Sequence, residues 1–255
     1  MKITTWNVNS LNVRLPHVLG WLVDNPVDAL GIQETKLTDD KFPIEALREA
    51  GYQVVFRGQK TYNGVAIVSP HAIEDVSYDI PGFEDEQKRV IAGTINGVRV
   101  INVYVPNGSE VGSEKYDYKL RWLAALKDYV ADEMSRHERL AVTGDYNIAP
   151  GIDDTHDPDY WEGNILCSDK ERVAFQALID LGLTDSFRLF EHPEKTFSWW
   201  DYRKLGFQLN KGLRIDHVLV SEALRTACTA CAVDRTPRKL ERPSDHAPVT
   251  AEFAL

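Results

Sequence analysis

Asp145 and Asn147 stand two residues apart where the apolar run Leu140–Val142 breaks at Gly144. Residues two apart on an extended chain project to the same side. A carboxylate and an amide therefore emerge together from a strand end, where α/β sheets place their sites. The first can ligate a metal or take a proton, and the second can steady an oxyanion. The same spacing separates Asn7 from Asn9 in Trp6-Asn7-Val8-Asn9. Glu34 follows the buried-looking run Ala29-Leu30-Gly31-Ile32-Gln33. A carboxylate at such a place needs a partner, a metal or a proton. Tyr104 and Asn107 flank Val105-Pro106 at the end of another strong strand. Asp216 lies inside the apolar stretch Leu213–Val220, and His246, beside Asp245, is its natural partner. Such a pair orients the imidazole and favours its charged form.

Each feature alone is also explained by an Asx-turn, a helix cap, a salt bridge to Lys36 or an anchored tyrosine. Together they describe one cluster of carboxylates, amides and a histidine at strand ends. Its donors are hard oxygens, with at most one histidine and no cysteine. Such a set suits Mg²⁺ or Mn²⁺ rather than zinc, and Mg²⁺ in enzymes typically works on phosphates. The chain has neither Gly-x-x-x-x-Gly-Lys nor Gly-x-Gly-x-x-Gly, which argues against a P-loop nucleotidase or a dinucleotide site.

Positioning this cluster falls to short strands alternating with helices, the pattern of an α/β domain. Strand-like segments are Lys2–Val8, Ala29–Gln33, Gln53–Phe56, Val65–Val68, Ile91–Ile95, Arg99–Val105, Leu140–Gly144, Ile215–Val220 and Val249–Phe253. Helices are expected over Arg14–Asn25, ending at Pro26, over Pro43–Ala50, and over Glu114–Ser135 with Leu123, Leu126, Val130 and Met134 at helical spacing. Another starts at the Ser168–Glu171 capping box and runs to Gly182. A weak internal echo links Trp6–Asn9 with Glu34 to Asn102–Tyr104 with Gly144–Asn147. In each half a strand, a helix and a second strand end in polar residues. Two such halves packed sheet on sheet, helices outside, would bring all these ends to one edge.

A chain of 255 residues has ample length for a core and reads as a single domain. No apolar run approaches the roughly 20 residues of a membrane span, and the N-terminal segment enters strand-like sequence without a signal-peptide core. Cys167, Cys228 and Cys231 read as free thiols in a reducing cytoplasm. The net charge is −10, yet Asp201–Arg242 holds nine Lys/Arg against five Asp/Glu, leaving −14 on the remainder. A basic segment on an acidic body can hold phosphates locally.

Six motifs then carry a resemblance. They are Trp6-Asn7-Val8-Asn9, Gln33-Glu34-Thr35-Lys36, Tyr104-Val105-Pro106-Asn107-Gly108, Gly144-Asp145-Tyr146-Asn147-Ile148, Leu213-Arg214-Ile215-Asp216 and Ser244-Asp245-His246-Ala247-Pro248. In this order they resemble the exonuclease III class of abasic-site DNA-repair nucleases, within the endonuclease/exonuclease/phosphatase superfamily. The resemblance implies a four-layer α/β sandwich of two packed, mostly antiparallel sheets, as in deoxyribonuclease I. It implies a metal site at Glu34 with Asn7 and Asp245, and a second one at Asp145 and Asn147, with His246 in reach. Asp145 would orient or deprotonate the attacking water, Asn147 would stabilise the charged transition state, and Tyr104 and His246 would contact the phosphate, with Asp216 holding His246. The choice of base between Asp145 and the Asp216–His246 pair stays open. Asn9, Asn107, Trp199, Trp200, Arg203, Lys211, Leu213 and Arg214 would face double-stranded DNA bearing abasic sites or 3′ ends.

No obligate protein partner is implied. Side-chain bulk at Leu166-Cys167-Ser168 is expected to tune incision at internal abasic sites against trimming of 3′ ends. Two readings compete with this one: a superfamily relative acting on a phospholipid or inositol phosphate, and a non-catalytic DNA-binding module.

Overall fold

The computed structural model describes residues 1–255. Its strands are β1 (Lys2–Asn7), β2 (Ala29–Gln33), β3 (Gln53–Arg57), β4 (Val65–Ser69), β5 (Glu74–Tyr78), β6 (Val90–Ile95) and β7 (Val98–Tyr104), followed by β8 (Leu140–Asp145), β9 (Thr184–Asp185), β10 (Trp199–Trp200), β11 (Gly212–Leu213), β12 (Asp216–Val220), β13 (Cys228–Val233) and β14 (Val249–Phe253). Its α-helices are α1 (Leu11–Asp24), α2 (Ile44–Glu49), α3 (Glu114–Arg136), α4 (Pro158–Trp161), α5 (Asp169–Ile179) and α6 (Glu222–Ala227). One six-stranded sheet runs β13-β14-β1-β2-β4-β3, the other β5-β6-β7-β8-β12-β9, and β10-β11 form a small ribbon. Within each large sheet a single central pair is parallel, β1–β2 in the first and β7–β8 in the second. Parallel neighbours need a crossover, and α1 and α3 supply the two. The echo between the halves is this repeated strand–helix–strand unit.

Period-two alternation sorts the side chains into three cores. Trp6, Leu30, Ala66 and Val68 pack outward against Leu22 of α1 and Leu47 of α2. Ile3, Ala29, Val65 and Ile67 point inward to meet Ile91, Val100, Ala141, Val218 and Val220 of the opposite sheet. Ile101, Val103, Leu140 and Val142 face out again onto Leu123, Leu126 and Val130 of α3 and Phe175 and Leu178 of α5. Helix, sheet, sheet and helix make four layers, as the resemblance implied. Continuing the inward-facing sets by twos reaches Asn7 from Ile3, Tyr104 from Val100, Asp145 from Ala141 and Asp216 from Val218. The polar strand ends are thus the last inward positions of strands whose other inward residues form the inter-sheet core.

The two sheets are pinned together by a buried amide. Asn102 Nδ2 donates to the carbonyls of Ile32 and Ala66 at 2.9 Å, and its Oδ1 accepts from Gln33 Nε2 at 2.6 Å. Gly31 leaves the room for it, since a Cβ there would lie 2.8 Å from Asn102 Oδ1 and 3.2 Å from Thr143 Cγ2. Gly31→Ala is expected to overpack this contact and destabilise the protein by about 2–3 kcal/mol. A thermal melt checks it: the midpoint should drop by roughly 4–10 °C, and an unchanged midpoint would contradict the packing argument.

Several elements escape the sequence pattern. Edge strand β5 is polar and largely exposed, and edge strand β13 mixes half-buried with exposed small residues, so neither shows the apolar run of a central strand. Helix α1 begins at Leu11, three residues before the expected start, because Leu11 itself packs into the core.

Candidate active site

Strand register brings the acids together before any side-chain bond does. Tyr104 pairs with Asp145 across β7–β8, and Asp145 pairs with Asp216 across β8–β12. Neighbouring strands lie about 4.8 Å apart, so three polar groups stand abreast on one inner face. The opposing sheet contributes the ends of β1 and β2. Asn7 Nδ2 bridges them, donating to Glu34 Oε1 and to Asp145 Oδ2 at 2.9 Å each. Tyr104 Oη donates to Glu34 Oε1 at 2.8 Å, and Lys36 Nζ lies 2.8 Å from Glu34 Oε2. On the other side, His246 Nδ1 is 2.9 Å from Asp216 Oδ2, while its Nε2 is 3.7 Å from Asp145 Oδ2. Ser198 Oγ donates to Asp216 at 2.6 Å and accepts the backbone N–H groups of Ile215 and Asp216. Asn147 N donates to Asp145 Oδ1 at 2.9 Å, and Asn147 Nδ2 to the Val105 carbonyl at 3.0 Å. Asn107 Nδ2 reaches Asn147 Oδ1 at 3.2 Å.

Backbone strain marks the same rim. Asn9, Glu34, Lys36 and Asn147 have φ between 45° and 55°. Glutamate and lysine rarely adopt this left-handed conformation, and non-glycine residues held there cluster at functional sites.

Electrostatics separates the acids. Burial pushes the Asp145 carboxyl well up, Asp216 adds to it, and the attraction of His246 only partly offsets both. Burial acts on Glu34 in the same direction, but Lys36 and the Asn7 amide outweigh it, so Glu34 stays below the usual carboxylate range. Burial, with Glu34 and Asp145 beside it, raises the Tyr104 phenol well above its ordinary value. Tyr104 therefore keeps its proton and acts as a donor. At His246, burial opposes the charge, but Asp216 and Asp145 overcome it and raise the imidazole.

Asn7, Glu34, Tyr104, Asp145, Asn147, Asp216 and His246 thus converge as expected, and donor atoms of Asp145, Asp216 and His246 lie within 4.8 Å of one another. Asp245 is turned to other partners: its oxygens accept from Asn9 Nδ2 at 2.9 Å and Trp199 Nε1 at 3.0 Å. Three of the expected DNA contacts are corrected. Arg214 is buried, with Nε 2.6 Å from Asp154 and its guanidinium 2.8 Å from Asp185. Leu213 is buried with Ala149, Leu166, Cys167 and Ile215. Trp200 is buried against Phe197 and Ala247, with Phe207 at its edge. Each fills a core that shapes the rim, so none offers DNA a surface. Arg238 is buried beside the same aromatics. Asn107, Arg203 and Lys211 are exposed, and Trp199 is partly so. Cys167 lies fully buried in the cluster against which Trp199 packs. Sequence reasoning missed Ser198 and gave Lys36 only a salt-bridge role. A serine between aromatics carries no distinguishing pattern until its hydroxyl is seen on Asp216.

This fold is that of a known class: residues 4–246 match the Endonuclease/Exonuclease/phosphatase family, and the chain belongs to it. It is 38% identical to exodeoxyribonuclease III of Haemophilus influenzae over 99% of this chain and 100% of that protein. Among solved structures it is similar to a 3′ phosphatase from Neisseria bound to product DNA hairpin, at 55% identity and a TM-score of 0.98 over 100% of both chains. An AP endonuclease from Archaeoglobus fulgidus superposes with a TM-score of 0.96 at 39% identity, again over 100% of both chains.

Proposed function

We propose that this protein is a divalent-metal-dependent DNA-repair phosphodiesterase that cleaves 5′ to abasic sites and removes nucleotides or blocking groups from 3′ ends. The observation that carries this reading is the placement of the buried Asp145 carboxyl between Asn147 and His246, with Glu34 joined to it through one Asn7 amide. The donor set fits Mg²⁺ or Mn²⁺: Glu34 and Asp145 are carboxylates converging on a single amide, and hard cations take such oxygens. Glu34, Asn7 and Asp145 would hold the ion, which when bound supplies charge neutralisation at the phosphate oxygens. His246, held at Nδ1 by Asp216, presents Nε2 to the same hollow from the far side of Asp145.

The chain's own groups then divide the work. Asp145, ionised, accepts the proton of the attacking water. Asp216 holds the His246 ring, which with the Tyr104 hydroxyl and the Asn147 amide donates to the phosphate oxygens. Donors fixed in place before charge develops stabilise a transition state strongly. Asn9, Asn107, Trp199, Arg203 and Lys211 form the rim that meets double-stranded DNA, with backbone phosphates as the main anchors. Three unpaired cysteines suit a reducing compartment such as the cytoplasm, and no helix is long and apolar enough to cross a membrane.

The reading is tested with purified protein, Mg²⁺ and two duplexes, one with an internal abasic analogue and one with a 3′-phosphate. Cleavage of at least one is expected, and inertness toward both would reject it. The pH profile of kcat/KM tests the roles. Asp145 is raised, so its ionised form and the rate are lost as pH falls. His246 is raised, so its cation and the rate are lost as pH climbs well past neutrality. His246→Gln should lower the rate and remove the alkaline limb; an unchanged alkaline limb would exclude His246 as its source.

A further inference from the structure

Behind the acids lies a second charged pair that touches no solvent. Lys119 of α3 and Glu171 of α5 are both 0% exposed and ion-paired through Nζ and Oε1. Lys119 Nζ also donates to the backbone carbonyl of Asn147 at 2.7 Å and to that of Asn107 at 3.2 Å. Glu171 collects the other side: Oε1 accepts from Leu166 N at 3.1 Å, and Oε2 from Ser168 N at 3.1 Å and Ser168 Oγ at 2.6 Å. The aliphatic stem is seated as closely. A Cβ on Gly108, whose φ is +90°, would lie 3.0 Å from Lys119 Cδ and 2.9 Å from Ile165 Cδ1.

A buried ion pair is a poor device for stability alone, since replacing both partners with apolar groups is often neutral. This pair does something an apolar pair cannot, because an ammonium carries three donors, enough for two carbonyls and a carboxylate at once. Those two carbonyls belong to the loops after β7 and β8, whose side chains Asn107 and Asn147 meet at 3.2 Å. Asn147 is left-handed at φ 49°, a conformation that persists only where its surroundings impose it.

We infer that Lys119, backed by Glu171, is a positioning residue for phosphodiester cleavage: its ammonium bolts the Asn147 and Asn107 backbones together, so that the Asn147 amide stands ready beside Asp145. This inference rests on the catalytic reading of Asn147. The same bolt ties the Leu166–Ser168 segment to the site through Glu171. Lys119 acts through Asn147 and never meets DNA, so its loss falls on kcat and spares KM.

The test is a double-mutant cycle in the full chain, with the bolt removed as Lys119→Met/Glu171→Met so that no buried charge is left alone. With the abasic or 3′-phosphate duplex, kcat is expected to fall roughly 30-fold, in line with the cost of a misplaced group, while KM stays within about twofold. In an Asn147→Ala background the same pair of changes should cost less than about twofold, because groups acting as a unit give non-additive losses. A merely structural pair would give the same factor in both backgrounds, and that result, or a parent-like kcat, overturns the inference. If the double variant does not fold, Glu171→Gln, which keeps an oxygen for Lys119, enters the same cycle and must show the same non-additivity at smaller amplitude. A parent protein without activity on either duplex would instead remove the reading beneath it.

Discussion

Asp145→Asn is expected to lower kcat by about 10⁴-fold while leaving the fold intact, the upper range for removing a positioned general base. That factor corresponds to roughly 5 kcal/mol of lost transition-state stabilisation. An amide is nearly the same size as the carboxyl, and the position is buried beside Asn7, Asn147 and His246. The fold is spared because the Asn147 N–H still finds the amide oxygen in the place of Oδ1, and the Asn7 contact to Oδ2 is given up. What is lost is the capacity to take a proton and the anionic partner of His246. The His246 cation should weaken accordingly, since Asp145 is one of the groups that raise it. Single-turnover cleavage of an abasic duplex measures the first effect, and NMR titration of the imidazole the second. A rate within tenfold of the parent would shift the base to the Asp216–His246 pair.

Withdrawal of divalent metal is the second large effect. EDTA is expected to abolish cleavage and excess Mg²⁺ to restore it. Glu34→Gln should then raise the Mg²⁺ concentration for half-maximal rate by about 10–100-fold, the usual range for disturbing a metal site. The substitution also perturbs two neutral contacts, because Glu34 accepts from both Asn7 and Tyr104. Against burial, Lys36 and then Asn7 hold the Glu34 carboxyl below its ordinary range, so it is ionised at neutral pH. Full activity in EDTA, or an unaltered Mg²⁺ requirement in Glu34→Gln, would mean that the acids serve another purpose.

The corrections concern residues whose chemistry suited DNA but whose burial removes them from it. Arg214 and Trp200 have side chains typical of phosphate contact and base stacking. Arg214 is consumed by Asp154 and Asp185, and by the ring of Phe187 beneath it. Trp200 is capped by the guanidinium groups of Arg235 and Arg238. A positive surplus counted along the chain between residues 201 and 242 therefore overstates the charge that a phosphate backbone can meet. The exposed remainder, Arg203, Lys204, Lys211, Arg225, Lys239 and Arg242, is the part that survives, and Arg225 within it is paired with Glu222.

The residue order alone determined the chain position of each acid and the pairing of Asp216 with His246, and the resemblance of its six motifs implied the four layers. The reason is physical: a polar residue that closes an apolar strand run stands out locally, and a carboxylate in such a place needs a partner. Helix α3 was legible to within a residue at its end, since its buried stripe has an unmistakable period. Only the tertiary structure decided which cations face solvent, that Asp245 turns to Asn9 and Trp199, and that Ser198 and Lys119 stand behind the site. Such facts depend on contacts between residues far apart in the chain, where a serine or lysine carries no local sign of the partner it will meet.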